Sequence, residues 1–94
     1  MSPLSLSILL ALADGDATSA EVIRRAHEDV QGSIILPRRS LYAALERLVR
    51  EGAVARRLGP RETVMYGLLP AGRRQLQAEK VWLLRVVQLL GDRI

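Results

Sequence analysis

The side chains that could perform acid–base, nucleophilic or metal chemistry are few in this sequence. It contains no cysteine and a single histidine, His27, so no thiolate nucleophile and no zinc site of familiar ligand spacing can be built. The carboxylates form no recognisable acid–base pair, and the glycines do not cluster into a phosphate-binding loop. We therefore expect no enzyme, no cofactor and no metal, and we expect His27 to be a helix-surface or partly packed residue.

Arginine is the residue type that stands out, and its distribution is uneven. Of the 14 basic residues 13 are arginine, in a chain of 94 residues with a net charge of +4. Residues 37–74 hold nine arginines against three acidic residues, whereas residues 1–36 hold two arginines against five. Such a basic segment is typical of a surface that binds a polyanion, although a solvated face would have the same composition. With three aromatic residues in all, a stacking platform for single strands is not expected.

Helix and strand signals predict the elements that carry these arginines. Thr18 and Glu21 form a capping box at a helix start, prolines open two other helices, and residues 59–62 are a turn signal between two short apolar runs. The predicted elements are helices over residues 3–13 and 19–29, a short β-prone run over 33–36, a helix over 37–51, a hairpin with strands over 53–58 and 63–69, and a last helix from residue 70 almost to 94.

This order of elements predicts a mainly α fold with a small β-hairpin, a winged helix–turn–helix followed by a C-terminal dimerisation helix. We expect one domain over residues 1–94, with a DNA-binding part over 3–69 and the dimerisation helix over 70–94. The helix over 37–51 would be the recognition helix that enters the major groove of double-stranded DNA, and the hairpin would be the wing.

Two arginines at the start of the recognition helix are the clearest sign of DNA binding. Cations at a helix N-terminus oppose the helix dipole by roughly 0.3–1 kcal/mol each, so Arg38 and Arg39 need a reason other than helix stability. DNA phosphates or guanine edges supply that reason. Arg39 and Ala43 are the candidate base contacts, and Arg61 at the wing tip is a candidate backbone or minor-groove contact.

Several other arginines have alternatives that remain open. Arg47 is a further candidate DNA contact, but it and Arg50 have Glu46 and Glu51 nearby as ion-pair partners. Arg56 and Arg57 at the base of the wing are, with Arg61, plausible phosphate or minor-groove contacts. Arg73 and Arg74 at the start of the last helix either reach the DNA backbone or are simply exposed.

Segments spread over nearly the whole chain resemble the PadR family of bacterial transcription regulators. The resemblance lies in Ser40–Leu48 and in Pro70–Arg73, supported by Pro3–Leu12, Glu51-Gly52 and Tyr66. It implies a dimeric DNA-binding regulator of the branch with a single C-terminal helix, typically a repressor that is released from a palindromic operator by a small hydrophobic or aromatic effector. It also implies that Ser40 and Tyr42 approach the DNA backbone; Tyr42 has an equal alternative as a half-buried ring over the core.

The sequence departs from the family pattern at three places. Arg39 stands where a glycine is usual, which makes the start of the recognition helix more basic. Leu69 replaces a capping Thr or Ser before Pro70, so the last helix should begin without a side-chain cap. The second helix is preceded by Ala17–Ala20, where the family usually has His-Gly-Tyr.

A surplus of apolar residues predicts a homodimer. The first helix is apolar on every side, and residues 83–90 hold more Leu and Val than a monomer of this size needs. The predicted interface residues are Leu6, Leu9, Leu10, Trp82, Leu83, Val86, Leu89 and Leu90. Two roles are possible for Trp82. It either stacks on a planar effector in a cavity at the interface, or it is an ordinary interface anchor.

Two further alternatives concern location and partner. The apolar run over residues 4–13 lacks preceding basic residues and is too short to span a bilayer, so we expect a cytoplasmic protein with no membrane contact. The rival function is a winged-helix protein–protein interaction module that does not bind DNA.

Overall fold

The computed structural model describes every residue from Met1 to Ile94. It contains four helices and one two-stranded antiparallel sheet, so the predicted fold class, a winged helix with a C-terminal helix, is confirmed. In chain order the elements are α1 (Pro3–Leu12), α2 (Ser19–Val30), α3 (Arg38–Arg50), β1 (Val54–Leu58), a 3₁₀ turn (Pro60–Glu62), β2 (Val64–Leu68) and α4 (Pro70–Arg93).

The helix starts follow the local sequence. The capping box of α2 is present: the Thr18 hydroxyl accepts a hydrogen bond from the Glu21 backbone N–H, and the Glu21 carboxylate accepts one from the Thr18 N–H at 3.2 Å. That bond to the Thr18 backbone lowers the pKa of Glu21 below its ordinary value. As the sequence predicted, α4 begins after Leu69 without a side-chain cap, and α3 also lacks one.

Helix α1 lies at the centre of the core, packed against the other three helices and β2. Its residues Ile8, Leu9 and Leu12 are among the largest fully buried side chains of the chain. The apolar character of α1 on every side is therefore largely satisfied within one chain. Leu9, expected at a dimer interface, faces this core instead, while Leu6 is half-buried and Leu10 is exposed.

The β-prone run over residues 33–36 does not form a strand. The free edge of β2 is occupied by Ala17, whose N–H donates to the Tyr66 carbonyl at 3.0 Å and whose carbonyl accepts from the Tyr66 N–H at 2.8 Å. Residues 33–36 pair with neither strand and form the loop between α2 and α3. Leu36 anchors this loop in the core, and Ile35 is 90 % exposed.

Strands β1 and β2 form the predicted hairpin, with Arg56 opposite Tyr66 and Leu58 opposite Val64. The turn contains Arg61 in the left-handed region, at a φ of 57°. After β2 the chain turns directly into α4, where Gly72 lies so close to the hairpin that a Cβ on it would collide with the carbonyl of Ala53.

Helix α4 projects from the rest of the molecule. Of its 24 residues, Gly72 alone is buried, and the chain measures 52 Å along its longest axis against 27 and 20 Å across. None of the helices combines the length and the apolar character that crossing a membrane requires.

Candidate nucleic-acid interface

Helix α3 presents one apolar and one polar side. Leu41, Ala44, Leu45 and Leu48 are buried in the core. Because an α-helix has 3.6 residues per turn, the opposite side carries Arg39, Ala43, Glu46 and Arg50. Arg39 and Ala43 are exposed. This side of α3 faces away from the core, and two of its four residues are arginines.

A histidine holds the segment that leads into α3. The Nε2 of His27 on α2 donates a hydrogen bond to the carbonyl of Leu36 at 2.7 Å, two residues before α3 begins. The sequence indicated a partly packed His27 without showing this link, because its partner is a backbone carbonyl in a loop. The bond fixes the turn of the helix–turn–helix next to the first arginines of α3.

The arginines at the start of α3 have no partner within the chain. Arg38 and Arg39 are exposed and take part in no salt bridge or side-chain hydrogen bond. They lie at a helix N-terminus with unbonded backbone N–H groups and no side-chain cap. This end of α3 therefore combines two sources of positive potential. The neighbouring Ser40 and Tyr42 are half-buried, and Tyr42 packs against the core.

Two of the predicted contacts are bound to other parts of the chain. Arg47 donates to the Ser5 hydroxyl at 2.7 Å and lies 3.7 Å from the Glu51 carboxylate, so it joins α3 to α1. Arg57 in β1 forms a salt bridge of 3.0 Å with Asp16 before α2. Arg50, for which an ion pair was an alternative, is exposed and has none.

A group of three side chains joins the middle of α3 to the hairpin. The Glu46 carboxylate accepts a hydrogen bond from the Tyr66 hydroxyl at 3.2 Å and pairs with Arg56 through its other oxygen. The Arg56 guanidinium lies 5.7 Å from the centroid of the Tyr66 ring. Its hydrogen bond to Glu46 raises the pKa of Arg56 above its ordinary value. Sequence reasoning missed this group, because a turn over residues 59–62 does not place Arg56 opposite Tyr66, and because Glu46 meets the hairpin only through tertiary packing.

The wing tip and the start of α4 carry further unpaired arginines. Arg61 is exposed at the tip, next to the exposed cross-strand pair Leu58 and Val64. Arg73 and Arg74 are also exposed and unpaired. Arg73 also lines the cleft between α1 and α4 described next.

An open cleft of about 440 Å³ separates α1 from α4. Its floor is apolar, and Arg73, Gln77 and Lys80 provide its polar lining; the apolar residues are Leu6, Leu10, Leu76, Leu83, Leu84 and Val87. Of the other predicted interface residues, Leu90 is exposed and Val86 and Leu89 are half-buried. Trp82 is 57 % exposed and lies outside the cleft.

Comparison with known proteins gives matches among solved structures. A PadR family transcription regulator from Clostridium difficile R20291 superposes with a TM-score of 0.80 over 97 % of each chain, at 15 % sequence identity. Bacillus subtilis PadR in complex with operator DNA matches at a TM-score of 0.70 and 24 % identity, over 85 % of this chain and 46 % of that one. Bordetella bronchiseptica BpsR, whose DNA binding is regulated by 6-hydroxynicotinic acid, matches at a TM-score of 0.73 and 20 % identity, over 94 % of this chain and 63 % of the BpsR chain.

No family model matches the sequence, and no curated protein does. The structural matches show that this chain has the PadR-like fold that its sequence motifs predicted.

Proposed function

We propose that this protein is a DNA-binding transcription regulator that acts as a homodimer, with α3 as the recognition helix and the hairpin as the wing. The observation that carries the proposal is the unpaired state of Arg38 and Arg39 at the uncapped start of α3. Arg47, Arg56 and Arg57 all have carboxylates as partners in the same fold. Arginines left without a carboxylate at a helix N-terminus fit an external anion, and DNA phosphates are that anion.

The proposed contacts divide by what they would touch. Arg39 and Ala43 on the outer side of α3 would meet base edges, and Arg38 would meet phosphates near the helix start. Arg61 would contact the backbone or the minor groove from the wing tip. Ser40 and Tyr42 would approach the backbone, and Arg47 would reach DNA only by leaving Ser5 and Glu51.

A second copy of the chain is the proposed partner of α4. The outer part of this helix exposes a run of large apolar side chains, with Val87 at 65 % exposure, and a monomer rarely leaves so continuous an apolar surface in water. Dimerisation through Leu6, Leu10 and the apolar residues of α4 would cover it. Two recognition helices would then read a palindromic operator, and occupation of that site would repress transcription.

A small hydrophobic effector fits the same region. The α1–α4 cleft combines an apolar floor with Arg73 and Lys80, and a ligand would regulate DNA binding if it favoured one arrangement of the two subunits. The regulation of BpsR by 6-hydroxynicotinic acid supports the idea of an effector. Because Trp82 does not line the cleft, it is better suited to anchoring the second subunit than to stacking on a ligand there.

A salt titration on a duplex of random sequence tests DNA binding against the rival interaction module. The wild type should bind with a log affinity that falls linearly with log salt, by about 0.9 per phosphate contacted. The Arg38→Ala/Arg39→Ala variant should show a slope less steep by about 0.9, because Arg38 is the proposed phosphate contact of the two. Arg93→Ala, which removes one exposed charge at the far end of α4, should leave the slope unchanged. Absence of salt-dependent binding by the wild type would favour the protein–protein module.

A further inference from the structure

Glu46 occupies an unexpected place for an acidic residue. It is the sole acidic residue of α3, and it lies on the side of the helix that carries Arg39, Ala43 and Arg50. If this side faces DNA, as the proposed function holds, an unpaired carboxylate there would be repelled by phosphates. Its presence needs a role that outweighs this repulsion.

The contacts of Glu46 indicate that role. One carboxylate oxygen accepts the Tyr66 hydroxyl, and the other accepts the Arg56 guanidinium. Both partners lie on the hairpin, at positions directly opposite each other in the β1–β2 register. The carboxylate therefore joins the middle of the recognition helix to the middle of the wing, and each of its two oxygens already accepts one hydrogen bond.

The same contacts restrict Arg56. Its charge is compensated by Glu46, and its guanidinium is held near the face of the Tyr66 ring. An arginine at this position without a partner would add a mobile cation to the DNA-facing surface. Such a cation would attract any phosphate, and would raise affinity for all sequences alike.

We propose that Glu46 is a specificity-determining positioning residue, which fixes the wing beside the recognition helix and withholds Arg56 from the DNA phosphates. This inference rests on the proposed DNA-binding function. It predicts that loss of the Glu46 charge strengthens binding to DNA of arbitrary sequence, because Arg56 becomes available as a phosphate contact.

The experiment compares Glu46→Gln with Glu51→Gln on a duplex of random sequence, over a salt series. Both variants remove one negative charge at or next to the same helix, but Glu51 pairs with Arg47 and not with the hairpin. Glu46→Gln should steepen the salt slope by about 0.9, which corresponds to an additional three- to fourfold change in affinity between about 50 and 200 mM salt. Glu51→Gln should have the slope of the wild type, because Arg47 remains hydrogen-bonded to the Ser5 hydroxyl.

Two more variants make the outcome specific to Arg56. In the Glu46→Gln/Arg56→Gln double variant, the salt slope should return from the steeper value of Glu46→Gln to the wild-type value. The double variant keeps the wild-type net charge and should have the wild-type slope even if Glu46→Gln alone fails to fold, because the wild-type Arg56 has no phosphate contact to lose. Arg56→Gln alone leaves the Glu46 carboxylate unpaired and should weaken binding to the duplex. Equal slopes for Glu46→Gln and Glu51→Gln, or a slope about 0.9 less steep than that of the wild type for the double variant, would overturn the proposal while leaving DNA binding intact. Failure of the wild type to bind the duplex would instead remove the proposed function itself.

Discussion

At the scale of single residues, the structure separates arginines that are neutralised from arginines that are not. The sequence located the basic segment and the unfavourable position of Arg38 and Arg39, since both follow from composition and helix electrostatics. It could not show that Arg47 reaches Ser5 or that Arg57 reaches Asp16, because these partners lie 42 and 41 residues away in the chain. Long-range pairs of this kind depend on how elements pack, which local patterns do not contain.

The two classes of proposed DNA contact should respond differently to substitution. Arg39→Ala should cost about 1–3 kcal/mol of binding free energy on a preferred site and relax the preference at one base, because a bidentate contact to guanine would be lost. Arg61→Ala should weaken preferred and random duplexes similarly and make the salt slope less steep by about 1, because a wing-tip arginine would contact the backbone. Titrations of both variants on both duplexes measure this, and wild-type affinities throughout would refute the assignment.

At the scale of elements, local signals predicted the helices well and one strand wrongly. The helix signals act within one or two helical turns, so the local sequence is sufficient to predict the helices. They are the Thr18–Glu21 capping box, the prolines at helix starts, and the spacing of Leu41, Leu45 and Leu48. The run over residues 33–36 has β-prone residues but pairs with neither β1 nor β2, and the outer edge of β2 pairs with Ala17 instead. Strand formation depends on such a partner, which is a property of the tertiary structure.

The capping box of α2 should make part of the stability depend on pH. The pKa of Glu21 is lowered in the folded state by its bond to the Thr18 backbone N–H. Its contribution is therefore fully present above the unfolded-state value of 4.5 and is lost as the pH falls through the lower folded-state value. Glu21→Gln should remove this part of the acid dependence, as measured by chemical unfolding over a pH series.

Thr18→Ala provides the matching control on the other half of the box. It should lower the free energy of unfolding by about 1 kcal/mol at neutral pH, because the Glu21 backbone N–H loses its acceptor. An unchanged acid dependence in Glu21→Gln would show that the carboxylate does not stabilise the start of α2.

At the scale of the whole molecule, α4 leaves most of its large apolar side chains exposed in the single chain. The surplus of Leu and Val over residues 83–90 indicated a partner, and most of these side chains are exposed in the single chain. The apolar surface of α1 is weaker support for a dimer than the sequence suggested, because Ile8, Leu9 and Leu12 are buried in the core of the single chain. Sequence periodicity predicted a long helix but could not give its direction, which depends on the close approach of Gly72 to Ala53.

Selection of bound sequences from a pool of random duplexes tests the central claim, a dimeric protein that reads DNA with α3, most directly. Two α3 helices related by a two-fold axis should enrich a palindromic motif whose half-sites are about 10 bp apart, centre to centre, or a multiple of that distance. The same selection with Arg38→Ala/Arg39→Ala should lose the motif, and the Arg93→Ala control should keep it. Failure of the wild type to enrich any sequence, or enrichment of a motif without two-fold symmetry, would contradict the account.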